Sequence, residues 1–387
     1  MNKKILILLS IFVYVTGFIA TYRVFAKEGL SNIIGSDSNY KVPVTNSVNG
    51  EDLEPKTEEC PLNGKLYSKK QRSLWEDRRP LGIMVQNNLE ARPQSGLSSA
   101  DIIHEAVAEG GITRFLVMYY CDNPKVVGSV RSARVYYITL LQGFGNYPLY
   151  AHVGGANTPG PADALGMIKK LKWFGYNDMD QFSVPFPQYW RDYDRLPGRA
   201  TEHTVYTNTT KLWEFAKNKR ELADVDDEGV EWDSNWKPWL FKDGSVTTKE
   251  KKVAKISYGF WDNNIGSDYV VDWDFDSVTN MYKRTNGGVP HMDNNNDKQL
   301  SASNVIVVFS DESVANDGYE GGQHMLYDLL GTGEALIFQN GEVVKTSWRK
   351  QKATDMIRFY DSRNREVEMV RGLIWISILP SDNEVTY

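Results

Sequence analysis

The sequence predicts an α+β or α/β N-terminal domain, with a mixed sheet and helices, followed by a mostly β C-terminal domain. Three observations carry this reading. The chain has 387 residues, more than one hydrophobic core usually serves. Apolar runs of strand length mix with segments of helical spacing up to about Leu222, whereas after Gly244 strand-length runs separated by turns dominate. Between the two lies Ala223 to Gly244, which is acidic, rich in tryptophan and aperiodic, so the boundary belongs there. The folded domains are therefore expected over residues 60–225 and 245–387.

In chain order, two lysines precede Ile5 to Tyr22, an uncharged and mostly apolar run that Arg23 and Lys27 close. Residues 1–27 thus read as a membrane anchor or a signal. As an anchor the segment makes a single pass as a helix, with the lysines in the cytoplasm and the body extracytoplasmic in the cell membrane. As a signal it is cleaved after Ala26 and the body is secreted. Residues 28–59 are polar and aperiodic, a flexible linker. Outside the cytoplasm thiols oxidise, so Cys60 and Cys121 are expected to form a disulfide, the alternative being two unpaired buried thiols.

Arg79 to Val85 reads as the first strand. Ile102 to Val107 and Phe115 to Tyr120 follow as a hairpin about Glu109-Gly110-Gly111, then a short strand over Val126 to Val130. Val135, Ile138 and Leu141 recur at helical steps from Ser132, an expected N-cap. Leu149 to Val153 is a strand, Ala162 to Leu171 a helix and Thr209 to Leu222 an amphipathic helix. In the second half eight apolar runs read as strands, and Asn340-Gly341 between two of them signals a tight hairpin.

Hydrophobic residues make up 41% and charged residues 24%, which excludes a mostly disordered chain. The net charge of -6 argues against nucleic acid as a partner. Two cysteines cannot form a structural zinc site by themselves. There is no Gly-x-Ser-x-Gly elbow, which disfavours a hydrolase triad.

The most informative segment is Val126 to Arg134. Arg131 and Arg134 flank Ser132 where a helix is expected to begin, and cations there are disfavoured unless an anion sits between them. That anion is either a ligand phosphate or a carboxylate of the chain: Asp101, Glu105 or Glu109. Glu105 lies inside an apolar strand and needs a partner, for which Arg114 is a candidate. Asp101 and Glu105 could also hold Mg²⁺ against a phosphate. At the junction Ala151-His152-Val153-Gly154-Gly155, the glycines permit close approach of a ligand and His152 could act as an acid or base. Its alternative is a packed histidine. Arg195, Arg199 and His203 form a further basic loop, and His291, Asp293 and Asp297 have loose metal-ligand character.

Several of these segments together resemble the YerB-like family of bacterial envelope proteins: Arg79-Pro-Leu-Gly-Ile-Met, Ala91-Arg-Pro-Gln-Ser-Gly-Leu, Glu109-Gly-Gly-Ile-Thr-Arg-Phe, Val130-Arg-Ser-Ala-Arg and Ala151-His-Val-Gly-Gly. In the second half Asn304-Val-Ile-Val, Gly331-Thr-Gly-Glu-Ala and Asn340-Gly are similar too. The resemblance spans nearly everything after Cys60 and implies two domains of unknown function. Family members are often lipoproteins, whereas this sequence carries no lipidation cysteine near its apolar run. A looser analogy, in the order of elements, points to the LytR-CpsA-Psr family, which transfers polyprenyl-linked glycans to the cell wall. There Asp101, Arg131 and Arg134 would fall at comparable places, but serines stand where the arginine before the aspartate is expected.

Two functions follow. The first is an envelope protein that binds an anionic ligand through Arg131, Ser132, Arg134, Gly154, Gly155 and Arg114; a glycan, a phospholipid-linked ligand or a protein partner would fit. The second is a Mg-dependent phosphotransferase-like enzyme acting on polyprenyl-phosphate-linked glycans, with Asp101 or Glu105 on the metal and Asp101 and His152 as catalytic candidates.

Overall fold

The structure is a computed structural model that describes residues 54–246, 252–261, 266–319 and 323–387. The anchor or signal over 1–27, and the linker as far as residue 53, lie outside the described residues. From Glu54 onward the chain forms one compact unit. Among the described residues no helix is long and apolar enough to cross a membrane.

The first strands are β1 (Leu81–Gln86), β2 (Ile102–Glu109) and β3 (Ile112–Tyr119). Helix α1 (Val135–Leu141), strand β4 (Leu149–His152), helix α2 (Ala164–Lys170), strand β5 (Asp178–Asp180) and helix α3 (Thr209–Arg220) are the other first-half elements used below. The second half contributes β6 (Val271–Asp276), β7 (Met281–Asn286), β8 (Asn304–Ser310), β9 (Gly331–Gln339), β10 (Glu342–Lys350), β11 (Arg358–Tyr360) and β12 (Ile374–Pro380). All α-helices of the described residues lie in the first half, and strands predominate in both.

Ten strands form one mixed sheet in the order β11-β10-β9-β8-β12-β2-β3-β1-β4-β5. The halves meet at the parallel pair β12–β2, with Ile374 beside Ile102 and Ser377 beside Glu105. Every residue of β1 is buried, as are seven of eight in β2. This is why these strands read as continuous apolar runs: both faces of the sheet are covered. On one face α1 buries Tyr136, Tyr137, Ile138, Leu140 and Leu141. Gly82 of β1 makes room for it, since a Cβ there would stand 2.8 Å from Leu141. On the other face lie Trp273 of β6 and Arg284 of β7, the Trp273 ring 5.3 Å from Trp375.

Asn340 and Gly341 both take left-handed φ values, 57° and 75°, and join β9 to β10 with Gln339 opposite Glu342. That is the two-residue hairpin the dipeptide announces. The tryptophan-rich stretch at the expected boundary is tied down by its indoles. Trp236 Nε1 donates to Gly143 O at 2.9 Å and Trp239 Nε1 to Ile357 O at 2.9 Å. Cys60 and Cys121 form the disulfide, which joins the start of the body to the end of β3.

Two local expectations are corrected. The linker does not run to residue 59, because Glu58–Glu59 pairs with Leu66–Tyr67. Ser132 does not cap α1. The helix begins at Val135, with Arg134 in extended conformation before it and no side-chain cap. Residues 131–134 are held extended by hydrogen bonds from Arg131 N to Met84 O, Ala133 N to Gly154 O and Val153 N to Arg131 O. A helix cannot start until that ladder ends.

Candidate functional site

Three segments converge beside the turn of the β2–β3 hairpin. That turn, Gly110-Gly111, has positive φ at both positions, which glycine accepts without strain. The turn brings Glu109 back beside Arg114. The extended segment 131–134 and the loop after β4 supply the rest.

Arg114 and Arg134 share Glu109. Arg114 Nη2 donates to Oε1 at 3.1 Å and Arg134 Nη2 to Oε2 at 2.6 Å. Arg114 Nη1 also reaches Ser132 O at 2.9 Å, and Arg134 Nη1 reaches Ala133 O at 3.0 Å. Both Nε atoms are buried and meet no acceptor among the described residues. Arg131 is half-buried, and its guanidinium makes no hydrogen bond or ion pair with the described residues. Burial alone would raise the Glu109 carboxyl, but Arg114, Arg134 and Arg131 outweigh it and hold it below the usual carboxylate range. Burial, then the neighbouring Arg134 charge, lowers Arg114 to about 10, with Glu109 opposing. Two cations thus share one carboxylate, and the charge of a third, Arg131, acts on both Glu109 and Glu202.

Glu105 does not pair with Arg114. In β-structure successive side chains point to opposite faces. Glu105 lies opposite Phe115, whereas Arg114 lies opposite Ala106, so the two point away from each other. Glu105 is instead gripped by Arg284 Nη2, 3.0 Å from both carboxylate oxygens. It also accepts from Thr113 Oγ1 at 2.8 Å and Trp375 Nε1 at 3.0 Å. Asp101 sits in a separate network. Its oxygens accept from Asn63 Nδ2 at 2.6 Å, Tyr120 N at 2.6 Å and Cys121 N at 3.1 Å. Burial pushes its carboxyl up to about 6, against the pull of Lys65. Asp101 and Glu105 are both fully buried and saturated with donors, so they do not form a shared Mg²⁺ site. Cys60, Asp101 and Cys121 do place donor atoms within 4.8 Å of one another, but both sulfurs are held in the disulfide and offer no thiolate.

His152 is buried, with Nδ1 2.7 Å from Gly154 O and Nε2 2.7 Å from Asp178 Oδ1. Both partners are acceptors, so the doubly protonated ring satisfies both, and in that form it has no lone pair to act as a base. Burial would lower its pKa, but the Asp178 bond and the Asp178 and Asp180 charges outweigh this and raise it above 6.5. The raised value means that the charged form stabilises the fold. That contribution is complete below the unfolded value of about 6.5 and is lost as pH rises through the folded one. Melting temperature should therefore fall with increasing pH above about 6.5, and Asp178→Asn should flatten the slope. A thermal-melting series from pH 5 to 9 on both proteins measures it.

Gly154 N donates to Asp180 Oδ1 at 2.9 Å, so that N–H is not open to an anion as its position suggested. Gly155 is required by packing: a Cβ would stand 2.9 Å from Leu165 and 3.1 Å from Ala133. The loop after β4 therefore serves to hold segment 131–134 in place.

His291 belongs to the Glu105 network, accepting from Arg284 Nε at 3.0 Å, with Gln94 Oε1 2.7 Å from its Nε2. Burial, with Arg284 and Arg92 nearby, holds it well below its ordinary value. Asp293 accepts from the backbone of Gly96 and Ser98, at 2.9 and 2.8 Å. Arg284 went unnoticed in the sequence because its partner is 179 positions away.

The description "Protein of unknown function (DUF3048) N-terminal domain" matches residues 66–223, and its C-terminal counterpart matches residues 261–376. The chain belongs to the DUF3048 family. Its relative in Bacillus subtilis (strain 168), named "Putative lipoprotein YerB", is 30% identical over 306 residues, 79% of this chain and 82% of that protein. The crystal structure of the YerB protein from Bacillus subtilis superposes with a TM-score of 0.66 at 28% identity, covering 85% of this chain and all of that one. The YerB-like resemblance of the sequence motifs is thereby established. The N-terminal DUF3048 match contains the whole arginine cluster, whereas Arg284, His291 and Trp375 lie in the C-terminal match. The Glu105–Arg284 bond therefore ties the two DUF3048 domains together.

Proposed function

We propose that this protein is an extracytoplasmic envelope protein, held at the cell membrane by its N-terminal segment, that binds an anionic ligand at Arg131. The name of its Bacillus subtilis relative and the apolar run Ile5 to Tyr22 support the location. One observation carries the binding reading: Arg114 and Arg134 are bonded to Glu109, while Arg131, the most accessible guanidinium of the three, has no bonded carboxylate among the described residues. Glu109 is already committed to two guanidiniums, and Arg131, which feels Glu109 and Glu202 only at longer range, keeps its donors open. A phosphate or carboxylate reaching Arg131 would make charge-assisted bonds of about 1.5–3 kcal/mol each.

Ser132 contributes its backbone carbonyl to Arg114, and Gly154 and Gly155 fix the segment, so these residues position rather than grip the ligand. An envelope glycan bearing an acidic group, a phospholipid-linked ligand and an acidic protein segment all present the required anion. The phosphotransferase reading loses its metal ligands, since Asp101 and Glu105 are committed to other partners.

Calorimetry of the purified chain with inorganic pyrophosphate tests this. Arg131→Ala should lower affinity about tenfold or more while the melting temperature holds, and Glu109→Gln should strengthen binding. Unchanged affinity in Arg131→Ala would refute the reading.

A further inference from the structure

A second cleft, separate from the arginine cluster, lies among Lys65, the turn before β7, the hairpin 292–299 and the segment before β12. It encloses about 620 Å³, well within the range of small-ligand sites. Lys65, Lys298 and Arg371 line it together with Asn280, Gln299 and Ser301. Among the described lining residues there is no carboxylate and no aromatic ring. That is a biased selection in a chain with 50 acidic and 44 basic residues. The positive potential of the walls therefore comes from Lys65 and Lys298, since Arg371 is balanced by Glu59 and Asp243, and low-dielectric walls focus such a field into the cavity.

The three cations are not equivalent. Arg371 is committed to Glu59 and to Asp243, the latter at 2.9 Å. Lys65 is half-buried and Lys298 exposed, and neither ammonium has an ion pair among the described residues. Asn280 donates its amide to Asn340 Oδ1 at 2.9 Å, yet its own Oδ1 is buried without a donor. That oxygen is closed off from the cleft, whereas Gln299, whose Nε2 donates to Arg284 O at 2.8 Å, keeps its Oε1, and Ser301 its hydroxyl, for a ligand. The cleft thus asks for two things in one ligand: an anion for the lysines, and hydroxyl groups for Gln299 and Ser301. With no aromatic platform, it does not suit a planar base.

We infer that this cleft binds a phosphorylated polyol or sugar, with the phosphate between Lys65 and Lys298 and the hydroxyls on Gln299 and Ser301. The inference is independent of the Arg131 reading, and its test is designed to keep the two apart. The full chain carrying Arg131→Ala is titrated calorimetrically with glucose 6-phosphate, inorganic phosphate and glucose. One site is expected for glucose 6-phosphate, at least tenfold tighter than for either fragment. Adding Lys298→Gln, or separately Lys65→Gln, should weaken it about tenfold without shifting the melting temperature, as befits an exposed and a half-buried lysine. Absence of glucose 6-phosphate binding would overturn the inference, as would binding that both lysine substitutions leave intact. Equal affinity for inorganic phosphate and glucose 6-phosphate would reduce the cleft to a binder of adventitious ions only, and also overturn it. The Arg131 reading stands or falls separately, on pyrophosphate binding to the chain with and without Arg131→Ala.

Discussion

Glu105→Ala should destabilise the body by about 3–5 kcal/mol, the usual cost of breaking one side of a buried ion pair. Both partners are fully buried. Removing the carboxylate strands the Arg284 guanidinium between Trp375 and Trp273, 4.4 and 5.4 Å from the ring centroids. It also leaves Trp375 Nε1 and Thr113 Oγ1 without their acceptor. Arg284→Met should be nearly as harmful, because the negative charge would then be uncompensated. Reversible urea unfolding measures both. The paired change Glu105→Leu with Arg284→Met should recover much of the loss, since replacing a whole buried pair by apolar groups is often close to neutral. A single-substitution cost below about 1 kcal/mol would show that the pair does not bind the halves together.

Replacing Cys60 and Cys121 together by serine should cost about 4 kcal/mol in the chain-entropy description, for a closed loop of 61 residues. The disulfide also holds the end of β3 where Tyr120 N and Cys121 N bond to Asp101. Its loss should therefore loosen the Asp101 network as well. Urea unfolding of the double-serine protein, beside the oxidised one, gives the difference. A change of less than about 1 kcal/mol would mean that the network holds without the bond.

Much of the fold was legible in sequence. The apolar runs that became β1, β2, β3, β8 and β12 are long and unbroken because their residues are buried on both faces. Asn340-Gly341 specified its hairpin through local backbone conformation alone. Less of the site was legible. Arg131, Arg134, Arg114 and the Gly154 loop do come together, but Glu109, one of three carboxylates equally open as a partner, is the one that meets them. Glu105 and Asp101 looked like candidates because a buried carboxylate needs a partner. Their partners, Arg284 and Asn63, come from elsewhere in the chain.

The sequence by itself determined the long apolar elements and their order, the tight Asn340-Gly341 turn and which residues must find partners, because these follow from periodicity, turn chemistry and the cost of burying charge over a few neighbouring residues; short strands such as β5 carry no such pattern. Tertiary structure alone decided that β12 pairs with β2, so that one sheet runs through both halves, and which cation meets which carboxylate. Register and face depend on contacts between residues far apart in the chain. A shift of one position in pairing would turn Glu105 to the face of Arg114 and away from Arg284, and no local pattern records that choice.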